Sequence, residues 1–273
     1  MVDKSVLVGA LRSEGAAVES MVRGLSAEKW LQQTPSPGWT IAHQIGHLTW
    51  TDHVCALSIE TPKVFAEIAA AYAAAPTGYV DDAASAYIGD GAHDLLSRWS
   101  DGRRHLADLL DAHSGATKLA WFGPPMSSTT MATARLMETW AHGQDIADAL
   151  ALPHSATAAL EHIAHLGVRT RSFAYINRGQ SVPTADVHIT LVGPNGEHWA
   201  WGPLDAPNTI EGTAEDFCLV VTQRRALADT ELRTNGSAAR HWLTIAQAFA
   251  GQPTTTRRNP LSASPTPGHV DHV

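Results

Sequence analysis

The sequence predicts a mainly α chain with an α+β part: a four-helix bundle over residues 1–155, a small α+β domain over 156–251 and a disordered tail over 252–273. Three observations carry that expectation. Apolar residues recur at helical spacing up to Pro153. Strand-like alternation and a hairpin turn occur only beyond it. The final stretch is rich in Pro, Thr and Ser and has no periodicity.

The elements follow in order. Val6–Leu25 forms the first helix, with Val6, Leu7, Ala10, Leu11, Ala17, Val18, Met21 and Val22 on its apolar stripe. Pro35-Ser36-Pro37-Gly38-Trp39 breaks the pattern. Thr40 is then a natural N-cap for a helix from Ile41 to about Ser58, because its hydroxyl can accept from an unpaired first-turn N–H. Thr61-Pro62 starts an alanine-rich segment through Ala75, and Pro76-Thr77-Gly78 closes it. Ala92–Ala112 is a further amphipathic helix. After the Trp121–Pro125 loop, Ser127 or Ser128 opens a long helix to Leu150. Thr157–Asn177 is also helical. Asp186–Val192 and Glu197–Trp201 read as strands joined by Gly193-Pro194-Asn195-Gly196, with a short third strand at Thr209–Glu211. Helices over Ala214–Ala228 and Ser237–Phe249 complete the pattern.

Composition narrows the function classes. The chain has 273 residues, 44% hydrophobic and 17% charged, which is enough apolar content for a full core. Net charge is -8, from 19 Lys+Arg against 27 Asp+Glu, so the basic footprint of a nucleic-acid binder is missing. No apolar run approaches the roughly 20 residues of a spanning helix. The first residues carry no apolar signal core, and the two cysteines, Cys55 and Cys218, make no disulfide framework. A soluble, cytoplasmic protein without nucleic-acid or membrane partners is expected.

Fifteen histidines invite a search for ligand spacing. On the helix ending at Leu150, Arg135, Glu138, His142 and Asp145 make one polar stripe, with Glu138 and His142 four residues apart. Its neighbours Leu136, Met137, Trp140, Ala141 and Ile146 look buried, so the stripe must find partners. Spacing leaves two readings open: a metal held by Glu138 and His142, or an intrahelical ladder pairing Arg135 with Glu138 and His142 with Asp145. The Ile41–Ser58 helix offers His43 and His47, again four apart, and spacing does not choose between them. Either would supply a third ligand from a second helix, as bundle metal sites require.

The segment Thr34-Pro-Ser-Pro-Gly-Trp-Thr-Ile-Ala-His-Gln-Ile-Gly-His47-Leu48 resembles the second helix of the DinB-like family, which includes mycothiol-dependent maleylpyruvate isomerases and mycothiol S-transferases. The similarity continues through Trp121-Phe-Gly-Pro-Pro-Met-Ser and Met137-Glu-Thr-Trp-Ala-His-Gly-Gln-Asp-Ile-Ala-Asp148. It resumes at His165-Leu-Gly-Val-Arg-Thr-Arg171 and Asp216-Phe-Cys-Leu-Val-Val-Thr-Gln-Arg-Arg225, covering about residues 5–251. It is greatest to uncharacterised actinobacterial metal-binding members. The resemblance implies a DinB-like bundle followed by a sterol-carrier-like α+β domain, with a zinc site on His47, Glu138 and His142. It also implies mycothiol as a thiol cosubstrate and a small electrophilic substrate, either for S-transfer or for isomerisation through transient addition.

Beside those ligands, Asp145 and Arg135 are the candidate catalytic residues, Asp145 by orienting a ligand histidine or moving a proton. Arg169, Arg224 and Arg225 are candidates for binding a carboxylate on substrate or cofactor, since guanidinium matches carboxylate bidentately. Two alternatives use the same residues: a zinc hydrolase acting through metal-bound water, and a non-catalytic metal or small-ligand binder. A fourth protein ligand, His43 or Asp145, would favour a closed structural site.

Overall fold

The computed structural model describes residues 3–89 and 91–254. The mainly α chain followed by an α+β part is present as expected. The bundle consists of α1 (Lys4–Val22), α3 (Ile41–Glu60), α6 (Ala92–Ala112) and α7 (Ser128–Leu150). They pack in the cyclic order α1–α7–α3–α6. Short helices α2 (Ala27–Trp30), α4 (Pro62–Ala74) and α5 (Tyr79–Ala86) fill the connections, and α5 has no counterpart in the sequence expectation.

The helix starts follow from local chemistry. Thr40 caps α3 in a reciprocal box: its hydroxyl accepts from the His43 N–H, and His43 Nδ1 accepts from the Thr40 N–H. Ser127 caps α7 by accepting from the Thr130 N–H. Packing does the rest. Val18, Val22, Ile41, Ile45, Leu48, Leu95, Trp99 and Ile146 form one apolar cluster at one end of the bundle. Each such fully buried large side chain contributes about 1.5–3 kcal/mol. Gly46 lets α5 cross close to α3, since a Cβ there would lie 2.5 Å from the Ala84 carbonyl oxygen.

Beyond the bundle come α8 (Leu160–Arg169), α9 (Arg171–Ile176), β1 (Val187–Val192), β2 (His198–Trp201), β3 (Asn208–Thr213), α10 (Ala214–Val221), β4 (Arg233–Asn235) and α11 (Ser237–Ile245). The sheet order is β2-β1-β3-β4. β1 pairs antiparallel with β2 and parallel with β3, and β3 pairs antiparallel with β4. Val187, Ile189 and Leu191 alternate inward on β1. The expected helix over Thr157–Asn177 is two helices, divided at Thr170, whose hydroxyl donates back to the Leu166 and Gly167 carbonyls. α10 stops well short of Ala228. Gln223 adopts φ 63°, and Arg224 and Arg225 turn back onto α7.

The largest apolar cluster joins Leu7, Leu136 and Trp140 of the bundle to Leu160, Phe217 and Trp242 beyond it. One core therefore runs across residue 155. After α11 the chain returns along Gln223, where Gln223 Nε2 donates to the Ala246 carbonyl and Thr254 Oγ1 to Gln223 Oε1. Gln252–Thr254, the first residues of the expected disordered tail, are thus held against the domain; 255–273 lie outside the described residues. Among the described residues no helix is long and apolar enough to cross a membrane.

Candidate metal centre

The stripe on α7 is not an intrahelical ladder. Its two ends are paired by other elements. Arg135 Nε donates to Asp52 Oδ1 of α3 at 3.0 Å, and Trp99 Nε1 donates to Asp52 Oδ2 at 3.2 Å. Asp145 accepts from Arg224 Nη2 at 3.0 Å and from Ser36 Oγ at 3.1 Å. Arg225 grips Asp148 with both terminal nitrogens at 2.7 Å. Consecutive arginines after α10 thus dock on carboxylates three residues apart on α7, and a buried pair of this kind is costly to break. Arg169 is exposed in the last turn of α8 and takes no part in the cavity wall described below.

The middle of the stripe converges instead on α3. Glu138 Oε2 lies 3.2 Å from His142 Nε2 and 3.4 Å from His47 Nε2, and the ligand atoms of the three residues all fall within 4.8 Å of one another. The two imidazole centroids are 4.4 Å apart. Among the described residues no fourth His, Cys, Asp or Glu joins them. His43 is occupied with its capping box, and burial pushes its pKa down, which suits a ring nitrogen that must accept. His53 is exposed. Which histidine reaches Glu138 is therefore decided by the cap: a residue at the third helical position turns back to the N-terminus, and the next one along the same face meets α7.

A chain of hydrogen bonds fixes the tautomer of His142. The Thr34 hydroxyl donates to the Trp39 carbonyl and accepts from Gln44 Nε2 at 2.8 Å. Gln44 must then present Oε1 to His142 Nδ1, which donates the proton. His142 Nε2 is left as a lone pair facing the Glu138 carboxylate. Burial, and then the nearby His47, push the His142 pKa down to about 4, so the ring is neutral at physiological pH. For Glu138 burial acts upward, but its contacts with His142 and His47 outweigh it and hold the carboxyl well below the usual range. With His142 Nδ1 donating to Gln44, its Nε2 and the Glu138 carboxylate are two acceptor groups 3.2 Å apart, and a divalent cation fits this donor set. His47 differs: its Nδ1 is buried without a hydrogen-bond partner.

The loop before α3 covers the site. Pro37 and Gly38 (φ 78°) occupy the centre of a tight turn closed by Trp39 N–H to the Ser36 carbonyl at 3.0 Å. Trp39 is thereby laid over His142, stacked at 5.9 Å and 19°, and beside His47 at 5.4 Å. The same loop lines a cavity of about 970 Å³ whose wall is otherwise formed by the bundle, by Leu166 and Phe173, and by the returning segment 248–254. Sequence reasoning missed Gln44, Thr34 and Asp52. The only signal nearby was the four-residue spacing of His43 and His47, which marked that turn of helix as notable.

The fold and centre define a bundle protein with a His₂Glu cluster open to a cavity that is lined by the bundle and by the C-terminal α+β part. The model for the mycothiol maleylpyruvate isomerase N-terminal domain matches residues 11–147, and the chain belongs to that family. An uncharacterized protein of Mycobacterium tuberculosis, from strains CDC 1551 / Oshkosh and ATCC 25618 / H37Rv, is 50% identical over 253 residues, 93% of this chain and 98% of that protein. The crystal structure of the mycothiol-dependent maleylpyruvate isomerase is similar over 93% of this chain and 97% of that one, with a TM-score of 0.54 and 12% identity. A histidine-to-alanine mutant of that enzyme gives a TM-score of 0.55 at 11% identity over the same shares. At such identity the likeness is one of fold.

Proposed function

We propose that this chain is a zinc-dependent enzyme that uses mycothiol, adding or transferring its thiol to a small electrophile. Family membership supports the thiol. The observation that carries the metal is the convergence of His47, Glu138 and His142 at the cavity, with His142 Nε2 turned to Glu138 as a lone pair. Three protein ligands leave a coordination position for an outside group, whereas structural zinc is closed by four. When bound, the metal supplies a Lewis acid that keeps a thiol or a water as its conjugate base near neutral pH.

The protein's own residues do the rest. Gln44 holds His142 in the ligating tautomer, and Trp39 screens the two imidazoles from solvent. Asp145 orients no ligand histidine, since Gln44 has that place; with Arg224 it ties α7 to the C-terminal part. Arg135 with Asp52 ties α7 to α3. Both serve as positioning residues. The buried Cys55 is no rival nucleophile, because burial pushes its thiol up to about 12.

The test is elemental analysis of the purified chain beside Glu138→Ala and His142→Ala, followed by titration of mycothiol into the zinc form. About one equivalent of zinc, lost in both variants, with mycothiol binding that requires the metal, is the expected result. Zinc without mycothiol binding would overturn the thiol reading in favour of metal-bound water and hydrolysis. No zinc under any loading condition would overturn both.

A further inference from the structure

The cavity beside the centre is large, and its charges are already matched. Arg135 and Arg224 line it, but each faces its own buried carboxylate, Asp52 and Asp145. Arg224 also donates to the Ala141 and Thr222 carbonyls, from Nε and Nη1. Arg225, paired with Asp148, and the exposed Arg169 are not in the wall. Three of the lining hydroxyls are spent in the same way: Thr51, Thr170 and Thr222 each donate to a carbonyl one turn back along the chain. A divalent metal balanced by Glu138 and one thiolate leaves no positive charge over.

Most of the remaining wall is aromatic and apolar, with Tyr72, Thr130 and Gln252 among its few polar side chains. Phe122 sits 5.8 Å from Trp50, 5.0 Å from Tyr72 and 5.1 Å from Trp121 by ring centroids. Phe173 and Phe249 face in from the C-terminal part. A volume of about 970 Å³ also far exceeds what a small di-acid fills. Bringing a dianion into such a wall costs its hydration with no counter-charge to replace it.

We infer that the electrophile taken by this site is an uncharged, largely apolar or aromatic molecule, seated on the Trp50–Trp121–Phe122 wall, and not a small dicarboxylate. This deepens the thiol-enzyme reading and rests on it only for the partner that reacts. The carboxylate expected from the arginine-rich motifs is replaced, because Arg224 and Arg225 are paired within the fold and Arg169 lies outside the cavity wall.

The experiment is calorimetric titration of the full-length, zinc-loaded chain with 4-phenylbut-3-en-2-one, a neutral aromatic enone, and separately with maleate, both without thiol. Cys55 and Cys218 are buried with raised thiol pKa values, so the native protein offers no competing thiolate. The enone is expected to bind at least about tenfold more tightly than maleate, and Phe122→Ala to weaken it about tenfold. Asp145→Asn, which leaves Arg224 without its counter-charge, is expected to raise maleate affinity. Maleate binding as tightly as the enone to the unaltered chain, or enone binding indifferent to Phe122→Ala, would overturn the inference. Mycothiol titration separates the two ideas. Enone binding without mycothiol binding sinks the thiol reading and leaves this one standing, while mycothiol binding with preference for maleate does the reverse.

Discussion

Two buried histidines in this molecule have nearly the same partners and different surroundings. His142 has the Gln44 amide oxygen at Nδ1 and the Glu138 carboxylate at Nε2. His154 has the Gln144 amide oxygen at Nδ1 and Glu14 at Nε2, at 3.2 and 2.8 Å. Around His154 everything is closed: its side chain and that of Glu14 are 2% and 4% exposed, and Trp140 stacks on the ring at 5.8 Å. Around His142 a second imidazole stands 4.4 Å away, and the Glu138 side chain is 21% exposed to the cavity. The same trio of residue types is therefore a clasp between α1 and the chain after α7 in one place and part of a candidate ligand set in the other. What separates them is a second imidazole and an opening, neither of which is a property of the trio.

The largest effect that tests this contrast is metal content. Glu138→Ala is expected to abolish zinc retention, whereas Glu14→Ala keeps about one equivalent and instead loses about 1–3 kcal/mol of stability from the unpaired His154. Elemental analysis and urea midpoints on the two variants read both sides, and zinc loss in Glu14→Ala would break the comparison.

Next comes pH. His142 is depressed from an ordinary value of 6.5 to about 4, so the unfolded chain takes up its proton first on acidification. The stability this represents is present above pH 6.5 and is lost as pH falls to about 4. Glu138, also depressed, acts with the same sign at still lower pH. The metal-free protein should lose on the order of 3 kcal/mol across that window. His142→Gln should flatten the urea-midpoint profile; an unchanged slope would show that burial of this ring is not what acid reverses.

The smallest effect expected is at Gln44. Gln44→Leu removes the acceptor for the His142 Nδ1 proton and should weaken zinc by about 10–100-fold without abolishing it. Competition with a chelator measures it, and unaltered affinity would show that the ring needs no help in presenting Nε2.

The comparison also explains what was readable in advance. Helix starts at Ile41 and Ser128 were legible because Thr40 and Ser127 act on N–H groups three residues away. The hairpin turn at Gly193–Gly196 and the alternation of Val187, Ile189 and Leu191 were equally local. β4 and α5 were not read, since three residues of strand or two turns of helix carry too little pattern. The end of α10 was misjudged because Gln223 leaves the helix to satisfy long-range demands, Arg224 on Asp145 and Arg225 on Asp148. The same demands pair both arginines with carboxylates of the chain itself.

For this protein the sequence by itself determined where helices begin, that Glu138 and His142 share one face, and that α7 carries four polar groups into a buried setting. Periodicity and capping act within a few residues, so one chain suffices to show them. Only the tertiary structure decided that Arg135 and Asp145 are closed off by Asp52 and Arg224, that His47 and not His43 reaches Glu138, and that an apolar cavity opens beside them. Those outcomes depend on the approach of α3 and the C-terminal part to α7. That approach is set by the shared core, and no local spacing encodes it.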